Sequence, residues 1–503
     1  MQSLDPIVAL ATPPGRAGLA VVRVSGNGLL GWLPAHMGWK GEAPARALRR
    51  IVDAQGALID QPLVLSFAGP RSFTGEDTVE LHCHGSPIVV EMVMARVLEL
   101  GRQHALRLAE PGEFSQRAFL NGRIDLAQAE AIADLVAAES ALQARGAARA
   151  MQGEVSSRVR TLLDGVQHLR MLVEAALDFP EEPVESLASW GVDDALGSTA
   201  AALRRELPAF RQGAMLQQGL RVALIGPPNV GKSSLLNALA GGDLAIVDPE
   251  PGTTRDRIAH TLDLEGYRVV ITDTAGIRAQ SEAGRIEALG MARSWQAAAH
   301  ADLILLMTSA EEALGWDTGE ISSWPRLLHA QAQAWLQAHL PAPWGEGEDA
   351  ALPRILVVAN KIDLLAPERQ SQLYRIAARH DPQKAGPADI VFCSARADTW
   401  KSSLPGEDAG IGLHQLLGCL RQTFGLESSA TEPLLARARH VDALERALAH
   451  LEAASHLWKE ASCQADLMAE ELRLAQRCLG EIIGAWTDED LLGEIFRRFC
   501  IGK

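Results

Sequence analysis

No run of apolar side chains in this 503-residue sequence approaches the ~18 residues that a helix needs to cross a bilayer. The longest, such as Leu303–Met307, are strand-sized. The first residues, MQSLDPIVAL, lack a basic start followed by a long apolar stretch, which speaks against a secretory leader. Cysteine is sparse. The six, at 83, 393, 419, 463, 478 and 500, form no CxxC pair, so neither a disulfide framework nor a zinc site is indicated. A stripe of Lys and Arg is missing too. Lys plus Arg number 47 and Asp plus Glu 63, a net charge of −16. Residues 1–120 balance at 11 basic and 11 acidic side chains, so the rest of the chain holds the whole excess. Non-specific nucleic-acid binding by phosphate neutralisation is therefore not advertised, and an RNA substrate must be recognised through local patches, shape or a partner. What remains is a cytoplasmic, membrane-free chain of ordinary globular composition, 47% hydrophobic and 22% charged. Its length allows about three domains of ~150 residues.

Four textures follow one another. Residues 1–120 mix short β-type runs (Ile7–Ala11, Leu19–Val24, Leu63–Phe67, Thr78–Cys83) with turn clusters and a helix near 87–101, an α+β pattern. Residues 121–217 are rich in Ala, Leu, Gln and Glu with apolar positions at helical spacing, which predicts long antiparallel helices broken at Pro180 and Pro183. Over 218–425, β-runs at Arg221–Ile225, Arg268–Thr272, Leu303–Met307, Ile355–Ala359 and Ile390–Cys393 alternate with helical segments, the signature of a parallel sheet covered by helices. Residues 426–503 return to helical texture. The simplest account is a discontinuous all-α domain interrupted by an inserted α/β domain. The stretch 309–353, with Trp316, Trp324, Trp335 and Trp344, reads as a surface excursion without an assigned role, and Arg326–Leu340 within it has the spacing of an amphipathic helix.

The strongest chemistry lies in Gly226-Pro-Pro-Asn229-Val230-Gly231-Lys232-Ser233-Ser234, between an apolar strand and a helix. It fits the GxxxxGK[ST] phosphate loop. Its glycines turn backbone N–H groups toward phosphate oxygens, Lys232 meets the β- and γ-phosphates, and the Ser233 hydroxyl binds Mg²⁺. The switch-like loop Gly252-Thr253-Thr254-Arg255-Asp256, preceded by Asp248-Pro249-Glu250-Pro251, offers Thr254 as a second Mg²⁺ ligand. Asp273-Thr274-Ala275-Gly276 follows a strand, placing a carboxylate near the metal and a glycine near the γ-phosphate. Asn360-Lys361-Ile362-Asp363 supplies a carboxylate for guanine N1–H and N2–H₂, a donor pair that adenine lacks, and Ser394-Ala395 suits a base-contacting loop. Together these predict a domain that binds and hydrolyses GTP. Ile277 follows Gly276, where Ras-like proteins keep a glutamine that orients the attacking water; another side chain must do that work. His82-Cys83-His84 imitates a metal triplet, but in a strand the histidines face one side and the cysteine the other.

Outside the GTPase motifs, Ala9–Arg16, Val22–Gly26, Ser72–Asp77 with Glu80, Pro111–Leu120, Asp125–Asp134 and the final Phe499-Cys-Ile-Gly-Lys503 resemble the MnmE/TrmE family of tRNA uridine 5-carboxymethylaminomethyl modification GTPases. The resemblance is collinear from residue 5 to residue 503. It implies an α+β folate-binding and dimerising N-terminal domain, a helical domain and an inserted P-loop G-domain. It further implies an FAD-containing MnmG/GidA partner, in a heterotetramer, and a tRNA substrate. The wobble uridine would gain a carboxymethylaminomethyl-type group at C5 from a reduced folate (5,10-methylene- or 5-formyl-tetrahydrofolate), with GTP hydrolysis.

Carried onto this sequence, the resemblance assigns folate contacts to Arg23, Glu80, Arg123 and Lys503, with Arg123 departing from a more usual lysine. It assigns a K⁺ site to Asn229 with Asp248, Glu250 and Thr253, and makes Glu287 the acid that orients water in place of the missing glutamine. Cys500 stands as a candidate nucleophile or redox group, or as a small packed residue. Two other readings compete: a ribosome-assembly GTPase, disfavoured by the lack of a basic RNA-binding region, and a GTP-regulated folate-dependent one-carbon enzyme acting on a small molecule.

Overall fold

The computed structural model describes residues 5–39, 46–178, 191–227, 229–241, 259–264, 266–273, 301–315, 354–370, 388–395, 413–423, 434–459 and 465–486. Near the C-terminus it also describes 492, 495–497, 499 and 502. The pair Pro180 and Pro183 and the 316–350 stretch lie outside them. Two compact units form: one gathers 1–138, 144–210 and 434–503, the other 139–143 and 211–433.

In the first unit, eight strands precede most of the helices: β1 (Ile7–Leu10), β2 (Ala20–Gly26), β3 (Arg46–Leu48), β4 (Ile51–Val52), β5 (Leu58–Asp60), β6 (Leu63–Phe67), β7 (Asp77–Cys83) and β8 (Arg107–Leu108). Six of them make one sheet in the order β3-β6-β7-β2-β1-β8, antiparallel except where β8 joins β1; β4 and β5 pair separately. The period-two alternation of these strands decides which face is buried. Val8, Val22, Val24, Val64, Val79 and Leu81 point to one side, where α1 (Leu29–His36) and α2 (Pro87–Gly101) cover them with Leu29, Leu33, Val93 and Val97. On the other side Ile7 and Ala9 meet Phe114 of α3 (Glu113–Leu120). Short strands β3, β5 and β8 and helix α1 carried too little periodicity to be read from the sequence.

The helical part contains α4 (Leu126–Ala137), α5 (Ala141–Met151), α6 (Glu154–Asp178) and α7 (Val192–Gln218) before the α/β segment. In α4, Asp125 caps the start, its carboxylate accepting the Gln128 N–H while Gln128 returns a bond to the Asp125 N–H. After the α/β segment come α11 (Ala438–Lys459) and α12 (Ala465–Ile483). Val159, Leu169, Leu203, Phe210, Leu444, Leu451, Leu472 and Leu479 share one core, so helices more than 200 residues apart in sequence bury a common apolar stripe.

The second unit holds a sheet ordered β10 (Ala259–Leu264), β11 (Tyr267–Asp273), β9 (Leu220–Ile225), β12 (Leu303–Ser309), β13 (Arg354–Asn360) and β14 (Ala388–Phe392). Helices α8 (Lys232–Gly241), α9 (Ala310–Gly315) and α10 (Leu413–Thr423) belong to it. The five runs expected to form a parallel sheet do so, as β11, β9, β12, β13 and β14, and an unanticipated sixth strand, β10, joins the edge antiparallel to β11. Leu264 and Tyr267 pair across a connection of two residues, too short for the crossover that a parallel pair requires.

A buried ionic knot joins the two halves of the helical region. Glu130 of α4 accepts Arg439 Nε at 2.7 Å and Arg439 Nη2 at 2.7 Å, and His440 Nε2 at 3.0 Å. Arg437 holds Asp134 at 2.7 Å. The backbone N–H of Arg437 donates to His440 Nδ1, so the imidazole proton sits on Nε2 and points at Glu130. Burial lowers the His440 pKa, reinforced by Arg439 and Arg437 and opposed by Glu130, and the ring stays neutral. Burial alone would raise Glu130, but His440 and Arg439 hold its carboxyl well below the usual carboxylate range. Two arginines and two carboxylates thus balance. Arg439 also donates to the carbonyls of Glu481 and Ile482, capping the end of α12.

Two predictions follow from the knot. Glu130→Ala leaves the partly buried Arg439 guanidinium without its carboxylate, while Arg437 keeps Asp134, and should destabilise the full chain by about 3 kcal/mol, measured by urea unfolding. Because unfolded His440 takes up a proton below about pH 6.5 and the folded ring resists it, stability should fall between pH 7 and 5. Glu130, whose pKa is also depressed on folding, adds a loss of the same sign below about 4.5. In His440→Gln the part above pH 5 should flatten in urea midpoints recorded across this range.

Candidate functional site

Strand β9 ends at Ile225 and the chain turns through the phosphate loop into α8, whose first residue is Lys232. A side chain at Gly231 would put its Cβ 2.3 Å from Asn360 Nδ2, and the residue has φ +102°, so only glycine fits. At Gly226 a Cβ would stand 2.4 Å from the Met307 carbonyl. Asn229 takes the left-handed conformation at φ +63°. The Lys232 side chain is buried, and its Nζ donates to the carbonyls of Gly226 and Pro227 at 2.6 and 2.8 Å. This folds the ammonium over the loop. Ser233 and Ser234 stand exposed in the first turn of α8, where backbone N–H groups and the helix dipole favour an anion.

The motif expected to read guanine leans on the same loop. Asn360, 2% exposed, donates Nδ2–H to the Val230 carbonyl at 2.9 Å and accepts the Ala395 N–H at 3.0 Å. Lys361 Nζ donates to the Asn229 carbonyl at 2.6 Å. Ser394 donates to Asp363 Oδ1 at 2.7 Å. Asn229, Val230, Gly231, Lys232, Asn360, Lys361, Asp363, Ser394 and Ala395 are therefore one connected constellation. Cys393 lies behind it, and burial with the Asp363 charge pushes its thiol up to about 12, which keeps it protonated. Asp273 ends β11 opposite Leu224 of β9, at the edge of the same loop. Asp248, Pro249, Glu250, Pro251, Gly252, Thr253, Thr254, Thr274, Ala275, Gly276 and Glu287 lie outside the described residues.

The residues assigned to folate divide likewise. Arg23 and Glu80 face each other across β2 and β7, with Arg23 Nε 2.9 Å from Glu80 Oε1. His82 Nε2 lies 3.3 Å from Glu80 Oε2. The Arg23 guanidinium sits against the rings of Phe114 and Phe73 at 5.6 and 5.9 Å. Its Nη1 reaches the carbonyl of Gly502 at 3.5 Å, so the C-terminal segment comes to this pair. The Arg123 side chain packs over Gly75. Cys500 and Lys503 lie outside the described residues.

Sequence reasoning missed the ionic frame beside this pair. Fully buried Arg117 bridges Glu76 at 3.1 Å and Glu113 at 2.8 Å, and Arg107 grips Glu113 from outside at 2.7 Å. Burial alone would raise Glu113, but Arg107, the Glu110 N–H and Arg117 bring it down to about 2. The helical spacing of Glu113 and Arg117 was the available signal. His82, Cys83 and His84 do not converge: His84 binds Asp60 at 2.7 Å, and burial raises the Cys83 thiol to about 12. Among the described residues no three His, Cys, Asp or Glu side chains gather as metal ligands.

Comparison with known proteins agrees across the chain. The family described as MnmE helical domain matches residues 126–500, and that described as GTP-binding protein TrmE N-terminus matches residues 6–123. A tRNA modification GTPase MnmE from Cupriavidus pinatubonensis is 42% identical over 503 residues, covering 99% of each chain. Those from Leptothrix cholodnii and Cupriavidus metallidurans are 42% and 43% identical, again over 99% of each chain.

Asn360→Ala removes two buried hydrogen bonds that tie the phosphate loop to the 394–395 loop, each worth about 1 kcal/mol. We expect guanine-nucleotide affinity to fall by roughly tenfold or more, read by titration with a fluorescent GDP.

Proposed function

The chain belongs to the MnmE (TrmE) family of tRNA modification GTPases, and from that premise we propose how its GTP hydrolysis serves the modification. With an FAD-containing partner of the MnmG/GidA type, the protein adds a carboxymethylaminomethyl-type group to C5 of the wobble uridine of certain tRNAs. A reduced folate supplies the one-carbon unit. The observation that carries the GTPase half is the bonding of Asn360 and Lys361 to Val230 and Asn229, which couples base recognition to the phosphate cradle. The folate half is supported by the Arg23–Glu80 pair with Gly502 beside it. There a carboxylate can accept pterin N–H donors, while Arg123 and Lys503 complement folate's glutamate tail.

In hydrolysis, Lys232 swings its ammonium from loop carbonyls to the β- and γ-phosphates, and the N–H groups around Gly231 hold the oxygens where charge develops. Ser233 and Thr254 would hold Mg²⁺, which neutralises phosphate charge when bound. Asn229, with Asp248, Glu250 and Thr253, would hold K⁺ near the same oxygens. Glu287 orients the attacking water, and Cys500 is assigned to the modification chemistry rather than to GTP. A homodimer is supported by an apolar edge of the first sheet, where Leu48, 65% exposed, stands opposite Leu63, with Phe67 further along β6.

Nucleoside analysis of tRNA from a deletion strain tests the whole reading: the modified wobble uridine should vanish and return with the wild-type gene. Intact modification in the deletion strain overturns it. Glu287→Ala should keep GTP affinity and lose hydrolysis by ~10²-fold or more in single turnover, whereas Glu282→Ala should stay near wild type.

A further inference from the structure

Residues 139–143 come from the middle of the helical sequence, yet they pack within the GTPase unit. The segment braces itself. Ser140 Oγ accepts the Gln143 N–H at 3.2 Å, Gln143 Oε1 accepts the Glu139 N–H at 2.9 Å, and Gln143 Nε2 donates to the Leu216 carbonyl at 2.8 Å. So stiffened, it grips one spot. The Ser140 hydroxyl donates to the Gly266 carbonyl at 2.7 Å. Leu142 lies so close that a Cβ on Gly266 would stand 2.9 Å from the leucine Cβ. Glu139 pairs with Arg268 at 3.0 Å, and Gln212 donates to the Tyr267 hydroxyl at 3.3 Å.

The contacts of Ser140, Leu142, Glu139 and Gln212 converge on the turn between β10 and β11 and the start of β11. Gly266 has φ +91° there, and its N–H bonds Asp263 at 2.6 Å. In sequence this hairpin separates the two nucleotide-sensing stretches, 248–254 and 273–276. Strand β11 is registered to β9 from Val269–Leu220 to Asp273–Leu224, and so runs as one rod of roughly 20 Å from the gripped turn to Asp273. Where the turn is held decides where Asp273 arrives.

We propose that Ser140 and Leu142 are positioning residues for GTP hydrolysis, clamping the β10–β11 turn so that β11 delivers Asp273 in register with the phosphate loop. This rests on the GTPase reading of the chain. A displacement of Asp273 by a fraction of an ångström leaves nucleotide binding, carried by the loop and the 360–363 motif, largely intact. It costs rate, because alignment matters most in the transition state.

The test uses the full-length protein, with single-turnover hydrolysis and fluorescent-GTP affinity measured on variants shown to be folded by circular dichroism. Ser140→Ala and Leu142→Ala should each lower kcat by about tenfold while affinity changes less than about twofold. Ser140→Thr, which keeps the hydroxyl, should restore kcat to within about twofold of wild type. Arg204→Gln, in an exposed pair with Glu452 that takes no part in the clamp, should change neither quantity. A purely structural clamp predicts lower melting temperature with normal kcat per folded molecule; that result, or failure of threonine to rescue, overturns the proposal. Should Leu142→Ala not fold, Ser140→Ala and its threonine rescue decide alone. Absence of hydrolysis by the wild type would instead refute the GTPase reading.

Discussion

A chain that leaves its helical domain for more than 200 residues must find its way back, and the pairing of Glu130 with Arg439 and His440 is what fixes the return. Apolar stripes on α6, α7, α11 and α12 provide most of the burial, but such stripes tolerate sliding. The knot does not. Glu130 meets two partners on the returning strand of chain, and Arg439 simultaneously satisfies carbonyls at the end of α12. Three helices from opposite sides of the insertion therefore share one geometry. A neutral imidazole is central to this, because a protonated ring would add a third positive charge to a site already balanced.

The same economy of charge shapes the first sheet. One face is apolar and closed by α1 and α2, whereas the other carries Ser25, Glu76 and Glu113 around the buried guanidinium of Arg117. Arg117 also bonds the Asp5 carbonyl at 2.6 Å, drawing the start of the chain onto α3. Arg23 and Glu80 sit on this polar face, on adjacent strands whose backs form the core. Their side chains are thus carried on rigid elements rather than on loops, which fixes the geometry of the ion pair.

How much of this could be read from the sequence depended on the range of the signal. The phosphate loop, Asn360-Lys-Ile-Asp363 and the β-runs of the second sheet announce themselves within a few residues, because strand–loop–helix chemistry is local. Strand β10 did not, since Ala259–Leu264 has a weak pattern and its pairing is decided by the short turn that follows. The knot was invisible for another reason: Glu130 and His440 lie 310 positions apart, and nothing in either neighbourhood names the other. The role of Asn360 was only half legible. The sequence marks it as part of an expected guanine motif, whereas its bond to Val230 exists only in the fold.

The five-residue contribution of 139–143 bears on modularity. A cassette cut at 211 and 433 and moved to another host would arrive without Leu142 against Gly266 and without the amide that meets Leu216. Its β-hairpin would carry an uncovered glycine turn, and the Leu216 carbonyl would lose its partner. The inserted domain is therefore not a self-contained plug-in. Residues 139–143, drawn from the helical stretch of the sequence, complete its packing, so a graft keeps these contacts only when the short segment travels with it.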